Sequence, residues 1–92
     1  MRHFLVHNKR DDVGVAVVDI EPGQALTGAL LDNGHMLHLT AAEAVPLGHK
    51  IALRDLKVGE TIVKYGEDIG KVVADIRAGQ HVHVHNLKTK RW

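Results

Sequence analysis

The sequence contains no cysteine and only one Phe, one Tyr and one Trp among its 92 residues. Without thiols the protein has neither a disulfide nor a thiolate metal site. The scarcity of aromatic rings removes the stacking surface on which single-stranded nucleic acids bind. A core made without large rings has to be built from Val, Leu, Ile and Ala.

The net charge and the lack of long hydrophobic runs argue against nucleic-acid-binding, membrane-spanning and exported proteins. Twelve basic and eleven acidic residues give a net charge of +1, whereas a general nucleic-acid binder carries a clear basic excess. The sequence has neither an 18-residue apolar run nor an apolar leader-type segment after its first residues, so we expect a cytoplasmic protein without a membrane or nucleic-acid partner. Its length predicts one domain, 1–92, that buries about 60–65% of its unfolded surface and has little room for a pocket.

One short phrase occurs three times along the chain. It consists of Asp, an aliphatic residue, two variable positions, Gly, and then Glu or Gln, at 19–24, 55–60 and 75–80. The segment 46–49 (Pro-Leu-Gly-His) is a looser fourth copy. We expect a tight corner at each copy: the Gly takes a positive φ, the aliphatic side chain enters the core, and the Asp accepts hydrogen bonds from nearby amides.

The segments between the corners predict an all-β fold of short strands. Gly14 lies inside one of them and predicts a bulge or a close backbone approach. Asp32-Asn33-Gly34 is typical of a hairpin turn, and residues 64–68 predict another hairpin tip. Thr40-Ala41-Ala42-Glu43 matches a capping box and predicts at most one short helical turn. The predicted strands are 4–7, 13–18, 25–31, 35–39, 50–53, 61–65, 71–74 and 81–85.

The most unusual of these strands carries three alternating histidines. In an extended strand His81, His83 and His85 share one face while Val82 and Val84 share the other. Adjacent histidines on that face are roughly 7 Å apart at Cα, close enough to share a metal ion, but the outer two are roughly 13 Å apart. We therefore expect at most two of the three to bind one ion. The alternative is the exposed polar face of an ordinary strand.

Other charged residues lie near corners and near the end of the sequence. His49-Lys50 follows the Pro-x-Gly corner, where we expect the Lys to bind a carboxylate or to lower the pKa of the neighbouring imidazole. The alternative is a solvated turn. The remaining histidines, His3, His7, His35 and His38, are expected at the surface. Trp92 follows a basic run and is a candidate anchor to a partner chain.

Three longer segments carry a family resemblance. Residues 46–56, 64–70 and 81–89, together with 12–16, resemble the N-terminal SAF-type domain of the altronate dehydratase and galactarate dehydratase family. The similarity extends over essentially the whole chain with the motifs in the family's order. It implies a β-clip fold, a compact wrap of short strands, which agrees with the repeated corners.

The resemblance also implies an activity that needs a second chain. In sugar-acid dehydratases this domain precedes a much larger catalytic region, whereas this sequence ends just past the last motif. It is similar to the small subunit of the family's carbon–sulfur lyases, which eliminate sulfite from 3-sulfolactate to give pyruvate. A divalent metal, with Fe²⁺ as the expected ion, is then held mainly by the large subunit. The alternatives are a small subunit of a sugar-acid dehydratase and a non-catalytic metal- or carbohydrate-binding β-clip module.

The implied substrate assigns roles to residues of the matching segments. Sulfolactate carries a carboxylate and a sulfonate, so its recognition requires cations and hydrogen-bond donors. A β-elimination also needs a base and stabilisation of developing charge. We expect His49-Lys50 and the segment 83–86 to converge on one edge that faces the large subunit. We expect His81 to contribute less to activity than His83 and His85. The candidates for substrate binding are Lys50, Asn86 and Lys88, with Arg54 as a further cation, and those for base, proton carrier or metal ligand are His49, His83 and His85.

Overall fold

The glycine-interrupted sequence folds into short strands, as predicted. The computed structural model describes residues 2–64, 67–83 and 85–88, and these residues include no helix. Within the same ranges, no helical segment is available to cross a membrane. The all-β prediction is thus confirmed. The strands are β1 (Phe4–Val6), β2 (Val13–Ala16), β3 (Ala25–Leu30), β4 (Met36–Thr40), β5 (Lys50–Ala52), β6 (Thr61–Lys64), β7 (Glu67–Val72), β8 (His81–Val82) and β9 (Leu87–Lys88).

The strands form two sheets. The larger has the order β4-β3-β1-β2-β5-β8, and the smaller has the order β6-β7-β9. Strands β1 and β3 are parallel, and the other pairs are antiparallel. The larger sheet curls, since the Ala42 amide donates to the Gly79 carbonyl (2.9 Å) and joins the end of β4 to the start of β8. This contact brings the segment after β4 next to the histidine strand.

Strand β5 separates two apolar cores. Ile51 packs in one core, around Phe4 and Leu26, while its neighbour Ala52 packs in the other, with Leu56. Phe4 is fully buried, and a Cβ on Gly14 would lie 2.9 Å from its ring. The close backbone approach predicted at Gly14 is therefore confirmed. Because successive residues of a strand point to opposite faces, side chains of β5 alternate between the two cores.

The predicted corner recurs with one geometry. All four fifth-position glycines have positive φ and all four second-position aliphatic residues are buried. Tracing the looser copy back to Ala44 and Val45 makes it a full fourth corner. The glycines are Gly23 (79°), Gly48 (86°), Gly59 (92°) and Gly79 (87°), and the aliphatic residues are Ile20, Val45, Leu56 and Ile76.

Two of the corners form a reciprocal pair. Leu56 and Ile76 exchange two backbone hydrogen bonds of 2.8 Å. The Asp55 carboxylate accepts from the Ala78 amide (2.8 Å), and the Asp75 carboxylate accepts from the Val58 amide (2.9 Å). The aspartates therefore bind backbone amides, as predicted, but the amides belong to the opposite corner.

The other two corners pair in the same way but have only one of the two Asp-to-amide hydrogen bonds. Ile20 and Val45 exchange backbone hydrogen bonds of 2.9 and 3.0 Å, and the Asp19 carboxylate accepts from the Leu47 amide (2.9 Å). The reciprocal bond would join position 44 to residue 22, but position 44 is alanine and residue 22 is Pro22. Proline has no N–H to donate, so no carboxylate is needed opposite it.

Several local predictions differ from the structure. The capping-box segment forms no helical turn, because Thr40 ends β4 and pairs with Ala25. Strand β2 ends at Ala16 rather than at residue 18. Strand β7 starts at Glu67 rather than at residue 71, because residues 67–72 pair along β6 with a register shift between Ile62 and Val63. The tip of that hairpin at 65–66, and Trp92, lie outside the described residues.

Candidate functional site

The histidine segment is not the straight strand that its alternation predicts. Strand β8 ends at Val82, and the chain then turns. Asn86 is buried, and its side chain holds the turn: Oδ1 accepts from the His83 amide (2.9 Å) and Nδ2 donates to the His81 carbonyl (2.8 Å). The Leu87 amide donates to the His83 carbonyl (2.9 Å). The turn brings the rings of His81 and His85 to 5.4 Å, whereas an extended strand would keep these residues apart.

His49 completes a cluster of four imidazole rings. Its ring centroid lies 4.6 Å from that of His83 and 5.0 Å from that of His81, and His49 Nδ1 is 2.9 Å from His81 Nε2. The register explains the contact: Ile51 pairs with His81 and Lys50 with Val82, so His49 comes opposite His83. We name His49, His81, His83 and His85 the histidine cluster. Its members come from two segments that converge, as predicted.

The corner that precedes His49 explains how a histidine can occupy this position. In the three other corners the sixth residue caps the amide of the third: Gln24 to Glu21, Glu60 to Lys57 and Gln80 to Arg77. In the fourth corner the third residue is Pro46, which has no amide hydrogen to cap. The sixth position is His49, whose ring turns to the cluster instead.

Glu43 lies beside the cluster and was missed by the sequence analysis. Its Oε1 accepts from the backbone amide of His81 (3.0 Å). The sequence signal was present, because Glu43 is the last residue of the supposed capping box. Its carboxylate binds across the β4–β8 junction rather than back to residue 40, so the contact depends on tertiary structure.

The cluster and Glu43 contain two sets of donors that could hold a metal ion. One set is His49, His81 and His83, and the other is Glu43, His81 and His85; within each, the donor atoms lie within 4.8 Å of one another. Imidazole nitrogens and a carboxylate suit divalent transition metals such as Fe²⁺ and Zn²⁺. The residues present therefore fit the divalent ion that the resemblance implies. Each set uses two of the three alternating histidines, and both include His81.

Burial and neighbouring imidazoles keep His81 neutral. Burial lowers the pKa of His81 below 6.5, and the charges of His49, His85 and His83 lower that pKa further, with Glu43 opposing them. Only His83 and His85 of the cluster are exposed, while His49 and His81 are half-buried. The neutral form of His81 is thus favoured at the centre of the cluster, and the rings of His83 and His85 are open to solvent.

The predicted substrate-binding residues lie in different places. By strand alternation Lys50 is on the face of β5 opposite to Ile51 and His49. Burial lowers the pKa of Lys64, and the charge of Lys50 lowers that pKa further. Asn86 is buried in the turn, and Lys88 is exposed on β9 opposite Lys71. The structure brings none of the three side chains into the histidine cluster, and their roles in substrate binding remain predictions.

Arg54 forms an ion pair with Asp12 that stabilises the fold. Its Nε donates to Asp12 Oδ1 (2.8 Å), and Glu60 lies 3.6 Å from its Nη1. The hydrogen bond to Asp12 is the main cause of a raised Arg54 pKa. The other oxygen of Asp12 accepts from the Val63 amide (2.8 Å), so this pair ties the larger sheet to β6.

Comparison with known proteins defines the family. The altronate/galactarate dehydratase SAF domain matches residues 2–90. The chain therefore belongs to the altronate/galactarate dehydratase SAF domain family. The match covers both segments that build the histidine cluster.

Individual relatives differ in how much of them this chain covers. The (2R)-sulfolactate sulfo-lyase subunit alpha of Chromohalobacter salexigens is 54% identical over 97% of this chain and 96% of the relative. A protein of the same name from Paracoccus pantotrophus is 61% identical over 59% of this chain and 81% of the relative. Altronate dehydratase of Bacillus subtilis is 38% identical over 97% of this chain, but the alignment spans only 17% of that enzyme.

Proposed function

We propose that this chain is the small subunit of a two-subunit lyase that eliminates sulfite from (2R)-3-sulfolactate to give pyruvate. The observation that carries the proposal is the similarity to a sulfolactate sulfo-lyase alpha subunit along nearly the full length of both chains. A partner follows from the word subunit in the names of both such relatives. We further propose that 1–92 is a single SAF-like β-clip domain, that the partner is a large catalytic chain, and that the enzyme is cytoplasmic.

The reaction requires a base and anion-binding groups. A base removes the proton from the carbon that bears the hydroxyl group, the adjacent carbon–sulfur bond breaks, and sulfite leaves with the bonding electrons. The resulting enol of pyruvate takes a proton on its methylene carbon and becomes pyruvate. A neutral imidazole suits such proton transfers, and Lys50 and Lys88 are the proposed contacts to the carboxylate and sulfonate groups. Asn86, which is buried and bonded within the turn, is proposed to position His83 and His85 for the substrate.

The histidine cluster is the part of this chain best suited to meet the reacting carbon. His83 and His85 are exposed and point from the turn after β8, while His49 lies against His83. A lowered pKa at His81 keeps the centre of the cluster neutral. We propose that His83, supported by His49, carries protons and that His85 contacts substrate or metal.

A divalent metal belongs to this proposal. The family resemblance implies Fe²⁺ held mainly by the large subunit, and the donor sets around His81 also fit such an ion. When bound, the ion would act as a Lewis acid toward a substrate oxygen. Proton transfer by the imidazoles and anion binding by the lysines are tasks of this chain's own residues.

The test is sulfite release by this chain, alone and co-purified with a large subunit. We expect no turnover alone, because His83 and His85 lie exposed at the surface, where a substrate would stay in contact with water. With the partner, His83→Gln and His85→Gln should each lower kcat by about 100-fold or more, since Gln keeps a hydrogen bond but cannot carry a proton. His38→Gln is the matched control, because His38 is an exposed histidine on β4 outside the cluster.

Two outcomes would contradict the proposal. Normal sulfite release by the isolated chain would exclude a two-subunit enzyme. Unchanged kcat in both cluster variants would leave the histidines without a catalytic role.

A second candidate is a small subunit of a sugar-acid dehydratase. It is favoured by the 38–40% identity to altronate dehydratases over 97% of this chain. Altronate and galactarate, offered to the same complex, distinguish the two: we expect sulfolactate alone to be consumed. A chain that forms no complex with a large subunit would instead be a non-catalytic binding module.

A further inference from the structure

We propose that this chain itself binds a divalent metal ion, through Glu43, His81 and His85. The inference deepens the proposed function, on which it rests only for what the ion does, by adding a metal site on this chain's own residues. The sequence resemblance assigns no role to Glu43 or His81. The turn that bends the histidine segment and the junction between β4 and β8 bring the three residues together.

The donor types of this set match those of transition-metal centres. Two imidazoles and one carboxylate are the protein ligands of many non-haem Fe²⁺ sites and of catalytic Zn²⁺ sites, where further positions stay open for water or substrate. The three donor atoms lie within 4.8 Å of one another. His85 is exposed whereas Glu43 and His81 are half-buried, so the site opens toward solvent on one side.

A hydrogen bond holds the Glu43 carboxylate in position, and two others hold the backbone turn that carries His85. One oxygen of Glu43 accepts from the His81 amide (3.0 Å), so the carboxylate is fixed beside the ring of His81 before any ion binds. The turn carrying His85 is fixed by the buried side chain of Asn86. Ligands ordered in advance lose little conformational entropy on binding, which favours affinity.

His49 acts as the partner of a ligand rather than as a ligand. Its Nδ1 lies 2.9 Å from His81 Nε2. A His81 ring that donates from Nε2 to His49 keeps an unprotonated Nδ1 that can bind a cation. A metal-binding histidine commonly has such an acceptor for its second nitrogen.

The rival set of His49, His81 and His83 is electrically less favourable. It offers three neutral nitrogens, so a bound cation would keep its full charge next to the fourth imidazole of the cluster, that of His85. The set with Glu43 supplies a carboxylate that offsets part of this charge. We therefore assign the ion to Glu43, His81 and His85 and use the rival set as the alternative outcome.

Metal is first removed from the full chain with a chelator. Titration calorimetry with Zn²⁺ and, separately, with Co²⁺ then tests the assignment of the ligands. We expect one ion per chain. Glu43→Gln keeps the oxygen that accepts from the His81 amide but removes the charge, and it should weaken binding by about 100-fold, as should His85→Ala. His83→Ala belongs only to the rival set and should change affinity by less than about threefold. His38→Ala is the matched surface control.

Circular dichroism of each metal-free variant separates a lost site from a lost fold. Failure of the unmodified chain to bind either ion would overturn the proposal. Loss of binding in His83→Ala, with binding retained in Glu43→Gln, would also overturn it in favour of the three-histidine set. Because no large subunit or substrate is present, these results do not depend on whether the assembled enzyme releases sulfite.

Discussion

The two pairs of corners are built alike, yet only one pair is symmetric. In the pair formed by 55–60 and 75–80, each Asp binds an amide of the opposite corner, and each sixth residue caps its own third. In the pair formed by 19–24 and 44–49, the second member supplies neither side-chain bond, although it keeps the backbone bridge, the positive-φ Gly48 and the bond from its Leu47 amide to Asp19.

The difference shows how the fold makes room for a site. Pro22 and Pro46 remove the two amides that Ala44 and His49 would otherwise have to satisfy. The corresponding bonds of the other corners lie at the surface, where an uncapped amide bonds to water and only the net free energy of the hydrogen bond, about 1 kcal/mol, is lost. The prolines let these positions change without that loss. In the symmetric pair all four side chains form hydrogen bonds that stabilise the corners. In the asymmetric pair the sixth residue, His49, lies in the histidine cluster instead.

The largest expected effect on the free energy of unfolding comes from replacing a corner glycine that also packs against another strand. Gly79→Ala combines strain at φ +87° with a clash between the new Cβ and the Thr40 carbonyl oxygen at the β4–β8 junction. We expect a loss of about 3 kcal/mol or more in the free energy of unfolding, measured by urea denaturation. Gly59→Ala is the matched control with similar φ and nothing within 4 Å of its Cβ.

For Gly59→Ala we expect about 1–2 kcal/mol from strain alone. Equal losses in the two variants would mean that the contact between Gly79 and residue 40 does not constrain the fold. The comparison therefore also tests the junction that brings Glu43 to the cluster.

A smaller effect distinguishes the two pairs through their aspartates. Asp75→Ala removes the bond to the Val58 amide and should cost about 1 kcal/mol. The reverse change in the asymmetric pair, Ala44→Asp, should alter the free energy of unfolding by less than about 0.5 kcal/mol, because Pro22 offers no amide. Urea denaturation of both variants measures this difference. Stabilisation of about 1 kcal/mol by Ala44→Asp would show that the missing carboxylate is not explained by Pro22.

Much of the fold is predictable because its signals are local. A repeated Asp-aliphatic-x-x-Gly phrase predicts a repeated corner, since only the glycine takes positive φ without strain. The partner of each Asp was not predictable, because Asp55 and Ala78 are distant in sequence and meet only after the chain folds. The capping box failed for the same reason: Glu43 binds the amide of His81, 38 residues further on.

The site was predicted only in part. The convergence of His49 with the later histidines followed from two segments at corners and strand ends, and the structure confirms it. The period of two in 81–85 predicted a strand, but the buried Asn86 side chain binds two backbone groups and turns the chain after Val82. This turn places His81 at the centre of the cluster instead of at its edge.

The measurement that most directly tests the asymmetry is the unfolding free energy of His49→Gln beside that of Gln80→Ala, both metal-free. Gln80 caps the Arg77 amide, so we expect Gln80→Ala to cost about 1 kcal/mol. For His49→Gln we expect a change below about 0.5 kcal/mol, because Pro46 offers no amide to a glutamine, together with a loss of sulfite release in the assembled enzyme. A change of 1 kcal/mol or more in either direction, with sulfite release intact, would show that His49 serves the corner and not the site.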